Sequence, residues 1–290
     1  MDQRIIELFD AYTHGGMTRR AFLDRLAALA GGAGAASALL PLLENNYALA
    51  QVVPENDPRI AAQTIAIAGV EGLTGYLVEP QSGERRPAVI VIHENRGLNP
   101  HIKDIARRVA VEGFVALAPD YLSPMGGTPA DEDKAREMIA SLKPEDALRI
   151  SRAALTHLEG RANVGHVGAV GFCWGGGQVN ALAVAAPELD AGVAYYGRQP
   201  PASAVASIRA PLLLHYAELD QGINAGIPAF EAALKEAGKA YELHIYPGVN
   251  HAFNNDTNAA RYNKAAADLA WSRTIAFLRK HLGSGERTSG

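Results

Sequence analysis

The sequence predicts an α/β protein in which a mostly parallel sheet carries helices on both faces and an antiparallel hairpin forms its N-terminal edge. Three observations predict it. Short β-rich apolar runs alternate with longer segments whose apolar residues recur at three- and four-residue steps. Most of the short runs are apolar throughout, as strands buried between two helical layers require. The 290 residues are 48% hydrophobic, enough to fill one large core, and no composition shift after residue 51 marks a second domain.

Residues 1–50 read differently from the rest. Arg19 and Arg20 precede Phe22 and Leu23, and a weakly apolar Ala/Gly/Leu run follows. That order resembles a twin-arginine export signal, an address read by a receptor. Ala48 and Ala50 flank Leu49 in the small-x-small pattern of a signal-peptidase site, which places a cut before Gln51. The reading assigns residues 1–50 to the signal and 51–290 to the mature domain, with the export machinery as partner and a periplasmic or exported location. If the signal does not function, the chain is cytoplasmic. Asp2, Glu7 and Asp10 make the leader more acidic than such signals usually are, and the alternative is an amphipathic helix that stays attached. Asp24 and Arg25 interrupt the run, so it is not expected to insert stably in a membrane.

From Gln51 onward, AAQTIAIAG and LTGYLVEP are close enough to pair as the edge hairpin. The buried-looking strands follow at 87–93, 114–120, 166–172, 191–197, 211–217 and 241–247. Between them, HIKDIARRVAVEG, PEDALRISRAALTHLEG and NAGIPAFEAALKEAG carry helical spacing, and a last helix is expected from about Asn258 to His281. The tail GSGERTSG is expected to fray.

Composition excludes several functions. A formal net charge of −4 offers no chain-wide attraction to phosphate backbones, so nucleic acid is not an expected partner. One cysteine forbids an internal disulfide. The nine histidines are scattered without H-E-x-x-H or a comparable ligand pair, which argues for no metal. GGAGAAS lies in the signal-like run and does not mark a dinucleotide site, so no cofactor is implied.

The cysteine sits in AVGFCWGGGQ, at the end of a Val-rich strand and the start of a helical run. GFCWG has the small-x-nucleophile-x-small pattern of a nucleophile elbow, where the abrupt turn brings the flanking residues too close for any but the smallest side chains. Gly171 and Gly175 meet that need, and the helix N-terminus beyond favours thiolate over thiol. The alternative is a small buried cysteine in a Gly-rich turn. Partners decide between the two. Asp220 and His251 each lie just past the C-terminal end of a predicted strand, in the order nucleophile, acid, histidine that α/β hydrolases use. His251 would move the protons and Asp220 would fix its tautomer. The backbone N–H groups of Trp174 and Asn95 would hold the oxyanion.

GFCWGG, LDQG and NHAF, with IHENRGLN followed by GFVALAPDYL, resemble the dienelactone hydrolase family of α/β hydrolases from about residue 60 to 280. The resemblance implies a cysteine-dependent hydrolase of small ester or lactone substrates acting through an acyl thioester. It also gives Glu94 the role of the carboxylate that accepts the thiol proton when substrate arrives; the residues alone read equally as a loop carboxylate in solvent or paired with Arg96. Members acting on dienelactones carry an arginine four residues after the histidine, where Asn255 stands here, so that substrate lacks its carboxylate partner. Arg136 is a candidate second recognition arginine or part of a solvated helix face. Arg96, Tyr121, Trp174, Tyr196, Arg198 and Phe253 are expected near the pocket from their positions at strand ends, or else in ordinary packing or a surface loop.

Two other functions compete. An amidotransferase-type glutaminase needs Gln four residues after the cysteine, where Gly177 stands, and a His-x-Glu motif, where Phe253 replaces the Glu. A noncatalytic α/β-hydrolase fold binding a small molecule or partner would have no need of the full Cys, Asp and His set.

Overall fold

A computed structural model describes residues 1–283. The tail expected to fray lies, from residue 284 on, outside the described residues.

Residues 1–50 fold as three helices, α1 (Gln3–Thr13), α2 (Arg19–Ala30) and α3 (Ala33–Leu43). Asp2 caps the N–H of Arg4, and Thr18 caps Ala21 at 3.2 Å. Gly31, at φ 83°, ends α2 in the left-handed conformation that glycine adopts without penalty. The apolar side of α1 (Ile5, Phe9, Tyr12) meets Phe22 and Leu26 of α2 and Leu43 of α3 in a separate small core. Tyr12 and Phe22 stack with centroids 4.6 Å apart. Leu26 and Leu43 are wholly buried, worth about 1.5–3 kcal/mol each. Among the described residues no single helix is long and apolar enough to cross a membrane. The pair Arg19–Ala30 and Ala33–Leu49 has the length and composition together, bent by 112°.

The main domain holds β1 (Ile60–Ala66), β2 (Thr74–Pro80), β3 (Arg86–Ile92), α4 (Pro100–Val111), β4 (Val115–Pro119), α5 (Glu132–Ser141), α6 (Pro144–Glu159) and β5 (Val164–Phe172). There follow α7 (Trp174–Ala185), β6 (Ala191–Tyr195), β7 (Leu212–Ala217), α8 (Gln221–Asn224), α9 (Ile227–Glu236), β8 (Tyr241–Tyr246) and α10 (Lys264–Leu282). The sheet order is β1-β2-β4-β3-β5-β6-β7-β8. β1 and β2 run antiparallel to their neighbours, and the other six strands are parallel. This is the expected α/β-hydrolase architecture.

Alternate residues of each strand feed two cores. Ile90, Ile92, Leu117 and Leu214 face α6, α7 and α9; Val89, Val91, Ala116 and Leu213 face α4 and α10. Two expectations need correction. The final helix starts at Lys264, because residues before it form successive turns and the Asn263 side chain caps the N–H of Ala266 at 3.0 Å. The last strand is not buried: β8 is the sheet edge, and Ile245 is 49% exposed.

Candidate active site

The turn from β5 into α7 brings Cys173 to the sheet's C-terminal edge with φ 55° and ψ −117°, a conformation L-residues rarely adopt. Its tightness explains the glycines. A Cβ on Gly171 would stand 2.1 Å from the Gly175 carbonyl oxygen, and one on Gly175 would stand 2.4 Å from that of Ile92. The Cys173 N–H donates to the Tyr195 carbonyl at 3.0 Å, which ties the turn to β6.

Asp220, after β7, and His251, after β8, meet at this edge. His251 Nδ1–H donates to Asp220 Oδ2 at 2.5 Å, and Asp220 Oδ1 accepts from the Ile223 N–H at 3.2 Å. The bond leaves His251 Nε2 buried with no hydrogen-bond partner among the described residues. Burial opposes charge on all three groups, yet their mutual field outweighs it. The Cys173 thiol, which burial alone would raise, is brought down to about 6, first by the charge of His251 and then by that of His14. Burial likewise disfavours the His251 cation, but the Cys173 thiolate and Asp220 hold its titration well above the usual imidazole range. Asp220 is held below the ordinary carboxylate range by His251, against its own desolvation. Both shifts act in one direction, toward charge on the Cys173 sulfur and on the His251 ring.

His14, one residue past α1, completes the cluster. Its Nδ1–H donates to the Asp10 carbonyl at 2.8 Å, and its Nε2 lies 3.4 Å from Cys173 Sγ. Its ring meets that of His251 edge-on, centroids 4.6 Å apart. Neighbouring contacts seat the whole N-terminal segment over the site. Asn95 Nδ2 donates to the Thr13 carbonyl at 2.8 Å, Arg261 pairs with Asp10 at 2.7 Å, and Gln3 bonds Asn250 at 2.7 Å. Cys173 keeps only 8% of its surface and His251 4%. Sequence reasoning missed His14 because residues 1–50 were set aside as a signal; the amphipathic spacing of Ile5, Phe9 and Tyr12 was the clue that this segment could dock.

Other expected site residues are distributed unevenly. Glu94 is buried beside the cluster, where its Oε2 accepts from Asn255 Nδ2 at 3.0 Å; no bond joins it to Cys173. Asn255 Oδ1 in turn accepts from the N–H and hydroxyl of Thr257, so both ends of the amide in the family arginine's place are tied to the protein. Trp174 opens α7, and its N–H is among the first-turn donors that no intrahelical carbonyl can satisfy. Tyr196, at φ 38°, lays its ring 4.8 Å from that of His251, with its hydroxyl buried and unpartnered among the described residues. Arg96 is buried and paired with Glu132 at 2.8 Å.

Tyr121, Phe253 and Arg198 call for correction as pocket residues. Tyr121 is buried in the core with its hydroxyl on Ser151 at 2.7 Å, and borders the site through edge contacts with Trp174 and His93. Phe253 turns inward against Tyr195, Tyr196 and Tyr246. Arg198 is exposed; the bond at that position is its carbonyl accepting from Asn180. Arg136 lies over the Tyr12 ring, bonds the Tyr12 carbonyl and pairs with Asp133, so it docks the N-terminal segment.

The model of the dienelactone hydrolase family matches residues 73–282. The chain belongs to this family. A dienelactone hydrolase-family hydrolase is thus joined to a segment with its own match, the YqhI-like model over residues 1–31. A Saccharolobus solfataricus protein named as a carboxymethylenebutenolidase is 34% identical over 245 residues, covering 72% of this chain and 94% of that one. A Bradyrhizobium protein named as a 2-oxo-3-(5-oxofuran-2-ylidene)propanoate lactonase is 35% identical over 250 residues, covering 79% and 100%. The crystal structure of a Klebsiella pneumoniae protein described as a dienelactone hydrolase superposes with a TM-score of 0.65 at 28% identity, over 76% and 99% of the two chains.

Proposed function

We propose that this chain hydrolyses small esters or lactones through an acyl thioester on Cys173. The observation that carries the reading is the His251–Asp220 bond of 2.5 Å, which leaves His251 Nε2 unpartnered on the side of the thiolate. The Cys173 thiolate attacks the ester carbonyl carbon, and the carbonyl electrons move onto oxygen, toward the N–H groups of Trp174 and Asn95. As the intermediate collapses, the alkoxide leaves with the proton from His251 Nε2; in a lactone it stays tethered to the acyl group. His251, now neutral, takes a proton from water as that water attacks the thioester, and the acid and the thiolate separate. Asp220 remains ionised throughout and stabilises the imidazolium. Asn255 supplies no positive charge for a substrate carboxylate, which favours uncharged esters and lactones over a dienelactone.

Cys173→Ala should abolish turnover of p-nitrophenyl acetate and of a lactone panel while circular dichroism stays unchanged. Full retained activity would refute the thioester route. A folded wild-type protein with neither turnover nor alkylation at Cys173 would favour the binding-module reading instead.

Export through the twin-arginine route is proposed on the Arg19–Arg20 motif and the small residues before Gln51. Removal of residues 1–50 would also carry His14 off Cys173, so processing and exposure of the nucleophile would coincide. N-terminal sequencing of the protein from a periplasmic fraction should begin at Gln51; an intact Met1 in the cytoplasm would overturn the proposal.

A further inference from the structure

We propose that Cys173, His251 and His14 form a site for a thiophilic divalent cation, zinc above all, which clasps the N-terminal segment onto the hydrolase nucleophile. The Cys173 sulfur and the candidate ligand nitrogens of His14 and His251 lie within 4.8 Å of one another. A tetrahedral zinc ion with bonds of about 2.0–2.3 Å needs donors roughly 3.3–3.8 Å apart. The 3.4 Å between Cys173 Sγ and His14 Nε2 already meets that spacing.

The second observation is the way each imidazole is held. His14 Nδ1–H is committed to the Asp10 carbonyl, and His251 Nδ1–H to the Asp220 carboxylate. Both bonds orient the rings so that each Nε2 turns inward, where it offers a lone pair once its proton is lost, the arrangement that metal-binding histidines use. His251 Nε2 is buried and lacks a hydrogen-bond partner, while the residue is 96% enclosed. Two such lone pairs and a thiolate facing one another repel unless a cation, proton or metal, stands among them. His14 is exposed, which leaves the ion a way in from solvent, and three protein donors leave a fourth tetrahedral position for water. Sulfur with two imidazoles selects zinc over magnesium or calcium.

The exchange balances simply. Zinc takes the lone pairs of sulfur and both Nε2 atoms; the one proton shared between the Cys173 sulfur and His251 Nε2 passes to solvent for each ion bound. With the nucleophile's electrons held by the metal and the proton carrier occupied, thioester chemistry stops. The site also joins residue 14 to residues 173 and 251, so the ion holds the segment where it covers them.

Binding can be read without any turnover, so this proposal and the thioester route fail independently. Full-length protein, stripped with chelator, is titrated with Co²⁺ and the spectrum recorded. The expected result is one Co²⁺ per chain, a sulfur-to-cobalt charge-transfer band in the near ultraviolet, visible bands of tetrahedral intensity, and displacement by Zn²⁺. His14→Ala should weaken Co²⁺ and Zn²⁺ binding by at least about tenfold, as loss of one of three ligands demands. Cys173→Ser should remove the charge-transfer band. His14→Ala binding as tightly as wild type would overturn the clasp, as would a wild-type spectrum with no sulfur-to-cobalt band. Circular dichroism of each variant checks that the fold persists, and His14→Gln repeats the test while keeping a polar side chain at the helix end.

Discussion

The thiolate at Cys173 can be tested by its alkylation rate as a function of pH, and the structure sets both the size of the effect and the pH at which to look. Cys173 is the only cysteine, so any label reports on it alone. With titration near 6 against an ordinary 9.0, roughly nine in ten side chains are thiolate at pH 7, compared with about one in a hundred for an unperturbed thiol. A less basic thiolate is also less nucleophilic, and three units at a Brønsted slope of about 0.4–0.5 cost roughly 15–30-fold. The net advantage over the urea-unfolded chain is therefore only about three- to sixfold at pH 7, but about 30- to 60-fold at pH 5. Burial under the N-terminal segment slows reagent entry, which scales the whole curve without moving its inflection. The assay is iodoacetamide labelling followed by intact mass from pH 4.5 to 9, with the inflection expected near 6. An inflection at 8.5 or above would refute the thiolate–imidazolium pair. The linkage has a sign as well. The depressed Cys173 titration stabilises the fold above the unfolded thiol value, and that contribution is lost as pH falls through about 6. The raised His251 titration stabilises below the unfolded imidazole value and is lost as pH rises through its higher folded value, so the pair as such exists only between the two.

Asp220→Asn should lower kcat by roughly 10²–10⁴, because the amide no longer stabilises the imidazolium or selects the Nδ1–H tautomer. It should also move the alkylation inflection upward; an unchanged inflection would mean that Asp220 does not set the charge of His251. Gly175→Ala places a methyl 2.4 Å and 2.5 Å from the carbonyl oxygens of Ile92 and His93, neither of which can yield. It should destabilise by about 1–3 kcal/mol or more, read as a lowered midpoint in urea, and a wild-type midpoint would disprove the tightness of the elbow.

The sheet was legible because its signal is repetitive: each parallel strand is an apolar run bounded by turn residues, and β3, β5 and β7 announce themselves by composition alone. Cys173, Asp220 and His251 were legible as a group because each follows such a strand. What escaped depended on side-chain direction. Tyr121 and Phe253 sit at strand or loop ends like true pocket residues, but one turns to Ser151 and the other to the aromatic cluster behind Tyr196. No local pattern records that choice. The edge exposure of β8 has a sequence trace that went unused: Glu242 and His244 alternate with apolar residues in Tyr241–Tyr246, and the sheet order puts that strand outside.

His14 escaped for a different reason: residues 1–50 admit two readings in one stretch. Arg19 and Arg20 with the small-residue run satisfy the pattern of an export address, while Ile5, Phe9, Tyr12 and Phe22 satisfy that of helices built to pack. Both can hold at once, because a packing helix has only to present one face. The docked face is held by polar bonds at its rim, Arg261 to Asp10, Asn95 to Thr13 and Arg136 to Tyr12, while its own small core is separate from the two cores of the sheet. A segment attached in this way can leave without opening the α/β core. The strain is also stored beneath it: the non-glycine residues with positive φ among those described are Cys173, Tyr196 and Ala252, following β5, β6 and β8 at one sheet edge. Backbone strain of this kind costs about 1–3 kcal/mol per residue and persists only where the surrounding fold over-determines it. The strained positions belong to the sheet domain, so the Cys173 conformation is set by the tight turn from β5 into α7.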